Sequence, residues 1–116
     1  MRRVAMVLVA AFIGQGVAAD AWRAMSGQQI LEELTDRELV YDGGAWQRFN
    51  ASGRTLYNAG TDSWGYWSVR GDQYCSQWPP DAFWACYDMA MDGERFRFVD
   101  AFGNVSAGTR KPVKGE

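Results

Sequence analysis

The chain contains no histidine, and this absence argues against several classes of catalytic and metal-binding chemistry. Serine hydrolases and cysteine proteases normally use a histidine as general base, so neither mechanism is indicated. Histidine is also the commonest metal ligand. No glycine-rich phosphate-binding motif follows a strand-like segment, so nucleotide binding is not indicated either. We therefore predict no metal and no cofactor.

Cysteine is almost as scarce, with only Cys75 and Cys86 in the whole chain. Their spacing does not match the C-x-x-C pattern of redox and metal sites. In an exported protein two cysteines pair by default, and a small domain gains about 3 kcal/mol from closing such a loop. The sequence therefore predicts an intramolecular structural disulfide.

Long apolar runs are absent apart from one short run near the N-terminus. Arg2 and Arg3 precede the apolar segment Val4–Ile13, and small residues lead up to Asp20. This order predicts a secretory signal peptide at residues 1–19, and the small residues favour cleavage over a retained anchor. The run is shorter than the roughly 20 residues that span a bilayer. We expect a periplasmic or secreted protein with no stable membrane insertion after cleavage.

Basic residues are few once the predicted signal is removed. The 10 that remain face 14 acidic residues, a net charge of −4, which leaves no basic patch for nucleic acid. The length suits one domain, which we place at residues 20–109. The cationic end is short and solvated, so we predict a disordered tail at residues 110–116.

Helical signals are confined to one segment after Asp20. Ser26 and Gln29 match the S-x-x-Q capping box, and Ile30 and Leu34 lie on one face of the helix that would follow. We predict a helix from Gly27 to about Arg37 that plugs one end of a sheet.

Beyond this helix, turn signals recur every eight to twelve residues. They separate short segments rich in aromatic and β-branched residues: Glu38–Tyr41, Ala45–Phe49, Thr55–Tyr57, Gly65–Val69, Gln73–Gln77, Phe83–Met89 and Arg95–Val99. Such spacing is typical of an all-β meander, sandwich or barrel. We predict an all-β fold with one N-terminal helix, as a small antiparallel barrel or strongly bent meander of six to seven strands. Neither face of the two cysteine-bearing strands is purely apolar, so the core face stays open.

Aromatic residues are the main candidates for a binding site. Trp64, Tyr66 and Trp78 are accompanied by Asp81, and stacked rings beside carboxylates suit a sugar. The same rings also suit a small β-domain that must fill its core. Trp78 precedes two prolines in a loop whose ends the predicted disulfide anchors, so it is the best candidate for an exposed ring.

Carboxylate pairs offer a catalytic route that needs no histidine. Glycoside hydrolysis uses two of them, and the candidates are Asp88, Asp92, Glu94 and Asp100. Asp92 falls in a turn signal and the others resemble ordinary surface charges. We therefore rank catalysis below binding.

Four motifs are similar to those of a group of short bacterial exported proteins of unknown function. They are S-G-x-x-I near the mature start, F-x-A-S-G-R-T at Phe49–Thr55, W-G-x-W-x-V-x-G-D at Trp64–Asp72 and Y-C-x-x-W…C-Y at Tyr74–Tyr87. The resemblance implies a fold and a compartment, without an activity. A weaker similarity is to the periplasmic lysozyme inhibitors, which are small disulfide-bonded β-barrels. Their S-G-x-x-Y motif matches Ser52–Tyr57 with one extra residue, so no inhibitory residue is carried over.

Together these features predict an exported, non-catalytic binding or interaction module for an unknown protein or glycan partner. The alternative is a lysozyme-inhibitor-like protein, which would suppress muramidase activity near stoichiometry. A histidine-free carboxylate glycosidase is the third and weakest hypothesis.

Overall fold

A computed structural model describes residues 21–112, which form one helix and a nine-stranded antiparallel sheet. The predicted signal peptide lies outside the described residues. The helix, α1, is Gly27–Leu34. The strands are β1 (Arg23–Ala24), β2 (Arg37–Tyr41), β3 (Trp46–Phe49), β4 (Arg54–Asn58), β5 (Asp62–Arg70), β6 (Gln73–Gln77), β7 (Ala85–Asp92), β8 (Arg95–Val99) and β9 (Val105–Arg110).

Strands β2 to β9 close into an up-and-down barrel. Each pairs with the next along the chain, and β9 returns to pair with β2. Closure removes the sheet edges that would otherwise promote aggregation. β1 lies beside β7 as an extra strand. The all-β prediction with one helix is confirmed, and the barrel has eight strands plus one rather than six or seven.

The two missed strands carry weak sequence signals. β1 has only two residues. β9 is built from small and polar residues, and Gly108 explains part of that composition. A β-carbon there would lie 2.9 Å from the Val40 carbonyl oxygen and 3.2 Å from Tyr41 Cδ1, so close strand packing requires glycine.

The ordered domain extends past the predicted boundary at residue 109. Arg110 ends β9, and the Lys111 backbone N–H donates to the Glu38 carbonyl at 2.8 Å. The predicted start of the disordered tail, at residue 110, is therefore wrong. Residues 113–116 lie outside the described residues.

Helix α1 begins as predicted but ends earlier. The Ser26 hydroxyl accepts from the Gln29 backbone N–H, and the Gln29 side chain accepts from the Ser26 N–H, which completes the capping box. The predicted end at Arg37 is wrong because Arg37 already pairs in β2. A turn intervenes, in which Asp36 adopts a φ of 60°.

The apolar face of α1 closes one end of the barrel, hereafter the helix end. Ile30 and Leu34 are fully buried there, as predicted. They pack in a core with residues from the segment before the helix and from six strands: Met25, Leu39, Phe49, Trp67, Tyr74, Met89, Phe96 and Phe98. The main buried apolar cluster therefore lies at the helix end and in the middle of the barrel.

The disulfide between Cys75 and Cys86 is present. The two residues lie directly opposite each other in the β6–β7 register. Tyr74, Ser76 and Tyr87 alternate with them along these strands and face the barrel interior. The bridge therefore lies on the outer surface of the barrel, which settles the question of the core face.

Arg110 fastens α1 to the barrel. Its guanidinium pairs with Glu33 of the helix and, through Nε at 2.8 Å, with Glu94 in the β7–β8 turn. It also lies 5.5 Å from the centre of the Phe96 ring. Glu33 is consequently half-buried.

We expect Arg110→Gln to lower the melting temperature at pH 7. The melting temperature of the variant should also fall less than that of the wild type as the pH is lowered. The Arg110 hydrogen bond holds the pKa of Glu94 below its ordinary value. A carboxyl with a lowered folded-state pKa stabilises the fold above its unfolded pKa of about 4.3, and this stability is lost as pH falls through the folded value. Thermal unfolding at a series of pH values from 7 to about 2.5 measures the difference.

The matched control is Arg48→Gln, because the Arg48 side chain is 46% exposed and its ion pair with Glu38 is loose at 3.6 Å. Such pairs contribute little to stability, so this variant should follow the wild type throughout. An equal drop for Arg110→Gln at every pH would contradict the role assigned to the Arg110 ion pairs.

Candidate functional site

The end of the barrel opposite α1 is open and leads into a cavity of about 1260 Å³. The connections β2–β3, β4–β5, β6–β7 and β8–β9 surround this opening, hereafter the mouth. The interior of the cavity is lined by neutral side chains from all eight strands of the barrel and from the loop after β6: Tyr41, Gln47, Tyr57, Ser63, Tyr74, Ser76, Trp78, Tyr87, Phe98 and Ser106.

The cavity exists because several inward-facing residues near the mouth are small. Three of them are serines, Ser63, Ser76 and Ser106, whereas the inward-facing positions near the helix end carry large apolar side chains. An eight-stranded barrel is just wide enough either to be filled by its own side chains or to hold one small ligand. In this barrel the helix end is filled by side chains, and the mouth leaves room for a small ligand.

Aromatic rings form the floor and one side of the cavity. Phe98 lies 5.2 Å from Tyr74, 6.0 Å from Tyr41 and 6.3 Å from Tyr87, measured between ring centres. The contacts with Tyr74 and Tyr87 are edge-to-face, an arrangement that aromatic pairs favour. These contacts hold the rings in place before any ligand arrives.

A buried glutamine connects the tyrosine hydroxyls. Tyr41 Oη donates to Gln47 Oε1 at 2.6 Å, and Gln47 Nε2 donates to Tyr74 Oη at 3.0 Å. Gln47 Nε2 also donates to Thr55 Oγ1 at 2.9 Å. Every polar atom of the Gln47 side chain is thus hydrogen-bonded, as its burial requires.

Burial keeps the hydroxyls of Tyr41 and Tyr74 in their neutral form, because it raises the pKa of both. Burial is the main cause that raises the pKa of Tyr74, and hydrogen bonds from Ser76 and Gln47 offset only part of the effect. Burial also raises the pKa of Tyr41 well above its ordinary value. These hydroxyls therefore serve as neutral donors and acceptors.

Asp42 is the one charged side chain among the described residues that line the cavity. It lies at the rim, where both of its oxygens accept from Arg95, at 2.8 and 3.0 Å. The hydrogen bond from Arg95 lowers the pKa of Asp42, so the carboxylate stays ionised and paired. The cavity consequently offers no positive charge to an anionic ligand.

Trp78 is half-buried and forms a wall of the mouth. Its Nε1 donates to Ser76 Oγ at 3.1 Å, and its ring contacts Tyr57 edge-to-face at 6.1 Å between centres. The indole lies directly against Gly65, where a β-carbon would come within 2.5 Å of Trp78 Cε3. Because Gly65 has no side chain, the Trp78 ring can pack directly against the β5 backbone.

The other three predicted site residues are placed differently. Trp64 is exposed and reaches the cavity rim, with the Arg54 guanidinium 4.4 Å above its ring. Tyr66 is exposed on the outer face of β5, and Asp81 lies in the β6–β7 loop outside the cavity lining. The structure thus brings Trp64 and Trp78 to one site and leaves Tyr66 and Asp81 outside it.

Sequence reasoning missed Tyr41, Gln47, Tyr74 and Tyr87. The signal that would have found two of them is the alternation of side chains about the disulfide. Once Cys75 and Cys86 face outward, their neighbours Tyr74 and Tyr87 must face inward. No local pattern marks Gln47, because its role depends on partners from three other strands.

The candidate carboxylates of a glycosidase do not meet in the cavity. Asp88 is exposed and accepts from Gln73, and Glu94 pairs with Arg110 near the helix end. Asp92 begins the β7–β8 turn, and Asp100 accepts from the backbone of the β8–β9 loop. The structure therefore places none of these four residues in the cavity lining.

The segment that resembles lysozyme inhibitors lies mainly away from the mouth. Ser52 and Gly53 belong to the β3–β4 connection at the helix end. Thr55 is buried and hydrogen-bonded to Gln47, and Tyr57 faces the cavity. Inhibition of lysozyme stays a prediction.

Two further findings concern membranes and metals. Among residues 21–112, no helix has the length and apolar character needed to cross a bilayer. Over the same range, no cluster of three or more acidic or cysteine side chains is placed to hold a metal ion.

Comparison of the chain with protein-family models, curated proteins and solved structures finds no match.

Proposed function

We propose that this protein is an exported binding module that takes a small, neutral, ring-containing ligand into the mouth of its barrel. The observation that carries the proposal is the cavity of about 1260 Å³ opposite the helix plug. Ligand sites are concave, largely preformed and lined by aromatic groups with a few placed polar atoms. The mouth has each of these properties, and the module carries out no chemistry of its own.

The lining supports a neutral ligand. Its hydroxyl and amide groups are uncharged, and Asp42 is already paired with Arg95. Taking a charged group from water into such a cavity costs free energy that no counter-charge would offset. An anion would in addition approach a mature chain with a net charge of −4, from 10 basic and 14 acidic residues.

Export is supported by two features that agree. The N-terminal segment has the order of a secretory signal, and the disulfide suits an oxidising compartment. We place the ligand-binding function in the periplasm or outside the cell.

Two dyes that share one ring system test the proposal. We expect N-phenyl-1-naphthylamine, which is neutral, to bind with an increase in its fluorescence. Its anionic relative 8-anilinonaphthalene-1-sulfonate should bind roughly tenfold or more weakly, because the sulfonate finds no cation in the cavity. Equilibrium titration of the folded protein with each dye gives the two dissociation constants. Stronger binding of the sulfonate would contradict the proposal.

Variants locate the dye. Ser106→Trp places a large ring in the mouth and should abolish binding, whereas Trp78→Ala should weaken it several-fold by removing a wall. Tyr66→Ala is the control, since Tyr66 lies on the outer face and its loss should leave binding unchanged. Melting temperatures check that each variant is folded. Undiminished binding by Ser106→Trp would place the dye elsewhere.

A further inference from the structure

Two tyrosine hydroxyls on the floor of the cavity present opposite hydrogen-bonding roles. We propose that they recognise a neutral amide edge on the ligand, a lactam or primary amide whose N–H and C=O lie side by side. This inference rests on the proposed binding function and names the chemical class of the ligand. It follows from the direction of the hydrogen bonds around Gln47.

Thr55 fixes the orientation of the Gln47 amide. The single hydroxyl proton of Thr55 is donated to the Arg48 carbonyl at 2.8 Å, so Thr55 Oγ1 can only accept from Gln47. The group that faces Thr55 is therefore the NH₂ of Gln47, and the group that faces Tyr41 is its carbonyl oxygen. No flipped arrangement satisfies all of these partners.

With Gln47 fixed, Tyr41 can serve only as an acceptor toward a ligand. Its one proton is donated to Gln47 Oε1 at 2.6 Å, and lone pairs of Tyr41 Oη remain. A ligand that approaches Tyr41 must therefore bring a donor such as an N–H.

Tyr74 has the reverse role. Its oxygen accepts from Gln47 Nε2 at 3.0 Å, so the single hydroxyl proton of Tyr74 is not used in that bond. Among residues 21–112 the Tyr74 hydroxyl donates to no other group, and its proton is left for the ligand.

An amide edge complements this pair. Its N–H would donate to Tyr41 and its C=O would accept from Tyr74, which mirrors the way Gln47 binds the same tyrosines from the other side. The resulting bonds all run in one direction around a ring, so each polarises the next. A site built in this way rejects an analogue that leaves its buried groups unpaired.

Three bicyclic compounds of nearly the same shape test the inference. 2-Quinolone has the full edge, 1-methyl-2-quinolone lacks the N–H, and coumarin has an oxygen in place of it. We expect 2-quinolone to bind about tenfold more tightly than either of the others, since each lacks one donated hydrogen bond. Isothermal titration, or competition with N-phenyl-1-naphthylamine, measures the three affinities on the unmodified protein.

Single hydroxyl deletions assign the preference to its residues. Tyr41→Phe should bring the three affinities to within about twofold, because the ligand N–H then has no acceptor. Tyr74→Phe should weaken all three compounds and keep their order, since each of them offers a carbonyl to Tyr74. The control Tyr66→Phe should leave all three affinities unchanged. The comparison uses affinities within one folded variant, so a general loss of stability does not imitate the result.

The outcomes separate this inference from the proposed function. If all three compounds displace the dye equally well, the mouth binds rings but the amide inference is wrong. If the dye itself fails to bind, the proposed function is wrong. A preference for 2-quinolone that survives in Tyr41→Phe would also overturn the amide inference.

Discussion

Replacing Leu34 by alanine should lower the free energy of unfolding by about 2–5 kcal/mol, the range for deleting a large side chain from a packed core. Leu34 is fully buried on the face of α1 that plugs the barrel. The deletion removes apolar burial and leaves a cavity in the helix end, which rigid strands cannot collapse to fill. Chemical denaturation followed by circular dichroism measures the change.

The matched control is Leu31→Ala on the same helix. Leu31 is 47% exposed, so its loss should change stability by no more than about 0.5 kcal/mol. Both variants replace leucine in α1 and alter helix propensity equally. Equal effects of the two substitutions would show that α1 does not plug the barrel.

Removing the disulfide should have an effect of similar size. We expect Cys75→Ala combined with Cys86→Ala to destabilise by about 3 kcal/mol, because the unfolded chain regains the freedom that the bridge removes. For a domain of this size that corresponds to a melting temperature lower by about 12–24 °C. Differential scanning calorimetry without reductant measures the shift.

Reductant provides the control for the disulfide. Dithiothreitol should lower the melting temperature of the wild type toward that of the double variant and leave the double variant unchanged. Because the bridge lies outside the barrel, ligand binding should persist in both at temperatures where they are folded. A double variant as stable as the wild type would contradict the structural role.

Local patterns were enough to predict much of this fold. The capping box at Ser26 and the strands Gln73–Gln77 and Arg95–Val99 were predicted at their observed starts. Each depends on side chains close together in sequence. β9 could not be predicted, because its composition is set by contacts with β2 that are remote in the chain.

The site was harder to predict than the fold. Trp78 was identified because a tryptophan beside two prolines in a loop is conspicuous in sequence. The Gln47 network was not, since its partners Tyr41, Thr55 and Tyr74 come together only when the barrel closes. Whether an inward-facing side chain fills the barrel interior or leaves a cavity also depends on the residues opposite it across the barrel. That information is not contained in any one strand.

The central claim is that the mouth, and not the outer surface, receives the ligand. Nitrogen–proton correlation spectra of the labelled protein with and without N-phenyl-1-naphthylamine test it most directly. The account predicts shifts in the Gln47 side-chain amide and the Trp78 indole N–H, with little change in the indole signals of Trp22 and Trp84, which lie outside the cavity lining. Shifts confined to Trp22 or Trp84, with Gln47 and Trp78 unchanged, would contradict it.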